Sequence, residues 1–280
     1  MEFSMNKVAN SLLRILPFNL TKLFLKYTSS RLYKIAYASL KNRDVTIIDG
    51  IGSGLRFNVG NASPDYALGA NELPVQIAFK DFVKCGDVLY DVGANIGFFT
   101  VIASKIVEKS GHVYAFEPVE ENVNTIIKNI NLNKFSNITV IGKAISKFVG
   151  KGELHLTEHP GGHTLSSVGM PHNAVDTVTI DIDTIDNLIE NKKIDPPDIV
   201  KIDVEGAEID VLQGMKRTLG EFHPTIIYEI DDRDLNKLEN KQKEIQEYLY
   251  GFGYKIQDLE ESYKGIPCFV RHAVALYNAV

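Results

Sequence analysis

The chain has 280 residues, 44% of them hydrophobic and 24% charged, with a net charge of −6. This balance suits a globular protein with one large core, and the acidic sign excludes a general nucleic-acid binder, whose footprint is basic. The two cysteines, Cys85 and Cys268, stand far apart and outside any C-x-x-C pattern, which excludes a disulfide framework or zinc site and points to a reducing cytoplasm.

Residues 1–43 concentrate positive charge, with eight Lys or Arg against Glu2 alone. They read as two short helices, capped by Asn19 or Thr21 and by Ser29 or Ser30, the second carrying Leu32, Ile35, Ala36 and Leu40 at helical spacing. A basic helix with an apolar stripe suits two roles: peripheral contact with an anionic membrane, or packing on the main domain or a second copy of the chain. No apolar run reaches the roughly 20 residues of a membrane span, and Arg14 and Pro17 interrupt the one stretch resembling a signal peptide. Residues 44–74 read as a hairpin around a glycine-rich turn at 45–59, then a connector with Pro64 and Pro74.

Residues 75–280 form the third division. It opens with a helix over 75–83, and from Asp87 the pattern becomes regular: strand 88–92, helix 97–108, strand 112–116, helix 120–132 and strand 138–141. Extra strands at 152–157 and 175–182 flank a loop, followed by helix 183–191, strand 199–204, helix 207–219, strand 225–229, helix 238–250 and strands near 254–257 and 268–277. Strands alternating with helices of this length predict an α/β fold, a doubly wound and mostly parallel sheet of Rossmann-like type, preceded by the helical and hairpin extension. Ligands bind such sheets beyond the carboxyl ends of the strands, where the strand order reverses.

The first regular strand runs into Asp91-Val92-Gly93-Ala94-Asn95-Ile96-Gly97. Gly93 permits a tight turn beside a ligand, and Gly97 permits the next helix to sit close to the strand. Asn95 stands where a dinucleotide fingerprint has its second glycine, and Asp91 would repel phosphates while suiting an ammonium group. Glu117 ends the next strand, about 20 residues beyond the loop, where an acid is placed to hold two ribose hydroxyls. Together these predict a nucleoside cofactor that is not a dinucleotide. An NAD-type oxidoreductase and a non-catalytic binding module are the alternatives.

The blocks from Asp91 to Thr100, from Ala115 to Pro118 and from Lys201 to Glu208 (Lys-Ile-Asp-Val-Glu-Gly-Ala-Glu) resemble the FkbM family of class I methyltransferases. The resemblance covers about residues 70–230. It implies S-adenosylmethionine (SAM) as methyl donor and O-methylation of a hydroxyl on a sugar, glycan or secondary metabolite, and it places the strand of Lys201 beside the acceptor.

Transfer from a sulfonium is an in-line displacement that needs an aligned acceptor and a route for its proton. Asp203 and Glu205 are the candidate bases, with Lys201 stabilising the developing alkoxide or tuning an acid, and Glu229 is a further carboxylate for the same rim. Glu205 and Glu208 equally suit a helix N-terminus, where acids offset the dipole. Three nearby acids raise the question of a divalent metal, but their spacing assigns no ligand. His163, in a glycine-flanked loop, could close over the acceptor as a base, but reads first as exposed and idle. Asp195-Pro196-Pro197-Asp198 reads as a turn, because it precedes its strand and lacks the aromatic residue of an amino-directed DNA methyltransferase.

Overall fold

The structure, a computed structural model, describes residues 40–63, 65–157, 163–169, 174–262 and 268–278. The two N-terminal helices read from the sequence lie outside these residues, apart from Leu40, which is buried in the core.

Seven strands form the main sheet, in the order β12 (Tyr254–Asp258), β13 (Phe269–Tyr277), β11 (Thr225–Asp232), β10 (Ile199–Ile202), β3 (Val88–Val92), β4 (His112–Phe116) and β5 (Ile138–Ile141). From β11 to β5 all neighbours are parallel, and β13 runs antiparallel to both β11 and β12. The chain goes outward from β3 to β4 and β5, then returns to add β10 and β11 on the other side of β3. The order therefore reverses between β3 and β10, and that junction is where a site is expected. The sequence reading placed each of these strands.

Two layers sandwich the sheet because each strand alternates its side chains. Leu89, Val113, Ile199, Ile227 and Val274 face one core, shared with α2 (Leu73–Phe82) and α3 (Phe98–Val107). Tyr90, Tyr114, Val200, Tyr228 and Ala275 face the other, under α5 (Ile185–Glu190), α6 (Glu208–Gln213), α7 (Lys216–Glu221) and α8 (Leu235–Tyr250). Val45, Ile47, Phe57 and Val59 join the first core, so the hairpin of β1 (Asp44–Thr46) and β2 (Arg56–Asn58) packs with the sheet and not apart from it. A short helix, α1 (Asp65–Leu68), lies in the predicted connector. The helix α4 (Glu120–Asn133) covers β4 and β5. A second, four-stranded sheet pairs β7 (Gly150–Thr157) and β9 (Ala174–Asp183) with the two-residue strands β6 (Ala144–Ile145) and β8 (Thr164–Leu165).

One predicted helix, 207–219, is two. The Gly214 carbonyl accepts from the Asp186 backbone N–H at 3.1 Å, and the Asp186 carboxylate accepts from the Arg217 and Thr218 backbone N–H groups at 2.7 and 2.9 Å. A side chain 31 residues upstream thus starts α7 afresh. Asp195 and Asp198 sit at the amino end of the sheet, far from the carboxyl-end rim: Tyr114 Oη donates to Asp195 at 3.0 Å and Val88 N–H to Asp198 at 2.8 Å.

Candidate active site

A cleft opens beyond the carboxyl ends of β3, β4 and β10, where sheets of this class hold their ligands. Its apolar wall is Phe116, Val119, Ile145, Leu154, Leu165 and Val204, so β6, β7 and β8 close it from the side. Gly93, Asn95, Glu117, Asp203 and Glu205 supply its polar rim. A smaller recess continues from Gly93, Asn95 and Asp203 to Asp91, Lys201, Tyr66 and Glu72. Of the site residues singled out in the sequence, Gly97, Glu208 and Glu229 line neither; Glu229, expected on the rim, sits on β11 against His272 instead. Gly97 caps α3 at φ 83°, and a Cβ there would touch Ile126 of α4 at 3.1 Å. Its role is helix-to-helix packing, not the helix-to-strand approach expected.

The loop after β3 is built from inside. Gly93 and Ala94 N–H both donate to the Phe116 carbonyl, at 3.1 and 3.0 Å, and Gly97 N–H donates to Ala94 at 2.8 Å. Asn95 N–H donates to Glu117 Oε2 at 2.9 Å, and Asn95 itself holds a left-handed φ of 49°. In a dinucleotide site such amides face a pyrophosphate; here these four are spent within the protein. Gly93 is obligatory for a further reason: a Cβ would lie 1.8 Å from the Asp203 carbonyl oxygen, at φ 79°.

Glu117 is 5% exposed, and its other oxygen accepts from Val119 N–H at 2.9 Å and Asn122 Nδ2 at 3.2 Å. Burial pushes its carboxyl up to about 7, against the pull of those three donors. Oε1 thus has both lone pairs taken, while Oε2, which accepts from Asn95 N–H, keeps one for the cleft.

Strand register explains the recess. Lys201 on β10 pairs with Asp91 on β3, so both point to the α2–α3 side. Lys201 Nζ lies 3.0 Å from Asp203 Oδ2, 3.6 Å from Asp91 Oδ1 and 5.2 Å above the Phe99 ring. Burial alone would lower the ammonium pKa, but Asp203, Asp91 and Glu72 outweigh it and hold Lys201 protonated. Asp91 is displaced upward by burial; Oδ2 accepts from Thr100 Oγ1 at 2.6 Å, while Oδ1 receives no hydrogen bond. Glu205 has a left-handed φ of 53°, and burial followed by the charges of Asp231, Asp203 and Glu208 raises its carboxyl well above the usual range. Glu208 faces away from the cleft and accepts from Gly206 N–H at 2.8 Å, a helix-start role.

Sequence reasoning missed two groups here. His163 is not exposed: it is half-buried in the cleft wall, and its Nδ1 accepts from Thr157 N–H at 3.0 Å. Glu72 and His272 went unnamed, yet both are buried beside Glu229 on the recess side. His155 is buried against Thr177, and His159 and His172 lie outside the described residues.

The chemistry of the donor set fits SAM. The cleft offers an apolar slot with an acid for a hydroxyl, and the adjoining recess offers the unsatisfied Asp91 oxygen for a cationic end. These features define a nucleoside-binding domain of the doubly wound class, with its pocket at the switch point. The Methyltransferase FkbM domain model matches residues 91–256, more than half of the chain, and the protein belongs to that family. Among curated relatives, the hexuronic acid methyltransferase AglP of Haloferax volcanii is 30% identical over 164 residues, which cover 56% of this chain and 63% of AglP. Methyltransferase 1 of Beauveria bassiana is 26% identical over 196 residues, covering 60% and 78% of the two chains. A crystal structure of an FkbM methyltransferase from Methylobacillus flagellatus aligns over 93% of this chain and 58% of that one, at 14% identity and a TM-score of 0.47.

Proposed function

We propose that the protein transfers the methyl group of SAM to a hydroxyl oxygen of a sugar or glycan, residues 75–280 forming the transferase and the hairpin packing as part of its core. The observation that carries the cofactor reading is the loop of residues 93–97, whose amides are consumed internally while Glu117 Oε2 keeps a lone pair for the cleft. The 30% identity to AglP, a hexuronic acid methyltransferase, supports a sugar acceptor. Two free cysteines support a cytoplasmic setting.

When bound, SAM supplies an electrophilic methyl group on a sulfonium centre. Glu117 Oε2 would accept from a ribose hydroxyl of the nucleoside, and Asp91 would hold the cationic end. Asp203, shared by cleft and recess, orients the acceptor hydroxyl and takes its proton. Lys201 remains an ammonium throughout: 3.0 Å from Asp203 Oδ2, it holds that side chain in place and favours the anionic character that develops on the acceptor oxygen. Glu205 closes the rim beside Asp203.

The test is methyl transfer from isotopically labelled SAM to a panel of hydroxylated sugars, uronic acids included, with product positions read by mass spectrometry and NMR. Label on a hydroxyl oxygen, lost in Asp203→Asn, is the expected result. Label on nitrogen, on carbon or on a carboxylate alone would contradict the acceptor assignment.

A further inference from the structure

One constellation on the recess side is left unused by this chemistry. Glu229 on β11 and His272 on β13 are register partners, hence on the same face of the sheet. Glu72, the residue before α2, descends onto them from the helical layer. Glu229 Oε2 and His272 Nε2 share a hydrogen bond of 2.5 Å, which a bound ion would replace, and Glu72 Oε2 lies 3.8 Å from the same nitrogen. One ligand atom from each residue lies within 4.8 Å of the other two.

We propose that Glu72, Glu229 and His272 bind a divalent metal ion of the Mn²⁺ class. Two carboxylates and one imidazole are a hard-to-borderline donor set suited to such an ion. They come from three separate segments that the fold alone brings together, and Glu72 and His272 are 7% and 3% exposed. The atoms behind the ligands are held as well. Asn71 Nδ2 donates to Glu72 Oε1 at 2.7 Å, and Ser262 Oγ lies 3.2 Å from His272 Nδ1, which leaves Glu72 Oε2 and His272 Nε2 facing each other. Outer partners of this kind orient metal-binding side chains. The charges agree: Glu229 is opposed by Asp203, Glu72 and Glu205, while Lys201, the nearby cation, is committed to Asp203 and Asp91. Buried carboxylates in excess either take up protons or bind a cation.

Glu72 also lines the recess shared with Asp203, so an ion held here would lie beside the proposed acceptor. There the ion would bind the acceptor hydroxyl and make it more acidic. That role rests on the methyl-transfer reading; metal binding itself does not.

Mn²⁺ titration of the full, metal-free protein, followed by electron paramagnetic resonance, tests the site. One Mn²⁺ per chain is expected, lost in Glu229→Gln and His272→Ala, with Ser262→Ala weakening it about tenfold. SAM titration and circular dichroism on the same samples separate folding and cofactor binding from metal binding. Should a variant misfold, the hyperfine signal of a coordinated imidazole nitrogen in the wild-type spectrum decides. A folded wild-type protein without stoichiometric Mn²⁺, Mn²⁺ without a nitrogen ligand, or binding unchanged in both folded variants would overturn the proposal.

Discussion

The two halves of the candidate site are built on different principles. The cleft is local: residues 91–97 and 115–119 lie on consecutive strand-to-helix turns, and their own backbone groups hold Glu117 in place. The recess is global: Glu72, Lys201, Asp203, Glu229 and His272 span 200 residues and meet because strand register stacks the sheet residues on one face and the start of α2 brings Glu72 onto them. In the cleft a single buried carboxylate is satisfied by three N–H donors. In the recess several carboxylates crowd around the Lys201 ammonium, and burial with mutual repulsion raises Asp91, Glu205 and Glu229 above the usual range. A locally satisfied site tolerates the loss of a neighbour; a charge-balanced one does not.

Breaking that balance has the largest expected effect. Lys201→Met leaves Asp91 and Asp203 buried without their cation, and a loss of about 3–5 kcal/mol in folding stability is expected. Urea unfolding of the variant measures it. Next, Asp203→Asn removes the proton acceptor while keeping the shape, so turnover is expected to fall about 10²- to 10⁴-fold with SAM affinity within a few-fold of wild type. Equal losses in both quantities would erase the distinction between recess and cleft.

The cleft predictions are smaller. Glu117→Gln removes a charge-assisted hydrogen bond to the nucleoside and is expected to weaken SAM by about 2 kcal/mol, roughly 30-fold, read by calorimetry. The pH dependence follows from the same group. Free Glu117 titrates at about 7 because of its burial, and a donated hydroxyl lowers that value in the complex. Binding therefore releases a proton below about pH 7, and affinity is expected to drop up to about tenfold per pH unit on acidification, while staying level above pH 8. Asp91 is the charged group that acts on Glu117, and the dependence should vanish in Glu117→Gln. A slope that persists in that variant would move the titration to another acid. The smallest effect lies outside both regions: Asp186→Ala uncaps α7 and is expected to cost about 1–2 kcal/mol without changing SAM affinity.

The difference between the halves also explains what the sequence discloses. Strand-to-helix turns keep their residues adjacent in the chain, so Gly93, Asn95 and Glu117 were legible from spacing. The alternation of side chains made Lys201 and Asp203 legible as a pair on one face. His272 was not, because its facing depends on the register of an antiparallel strand reached only after α8 and β12. Glu72 was not, because nothing in its neighbourhood marks a residue before a proline-started helix as facing a sheet. The split of the helix at 214 was equally hidden, since its cause, Asp186, belongs to another helix. His163 was misjudged because its burial comes from the second sheet.

The central claim is that the loop of residues 93–97 and Glu117 form a SAM site. Parallel calorimetric titrations of the purified protein with SAM and with NAD test it most directly. The account predicts saturable one-to-one SAM binding and no response to NAD. Saturable NAD binding, or no SAM binding by demonstrably folded protein, would contradict it.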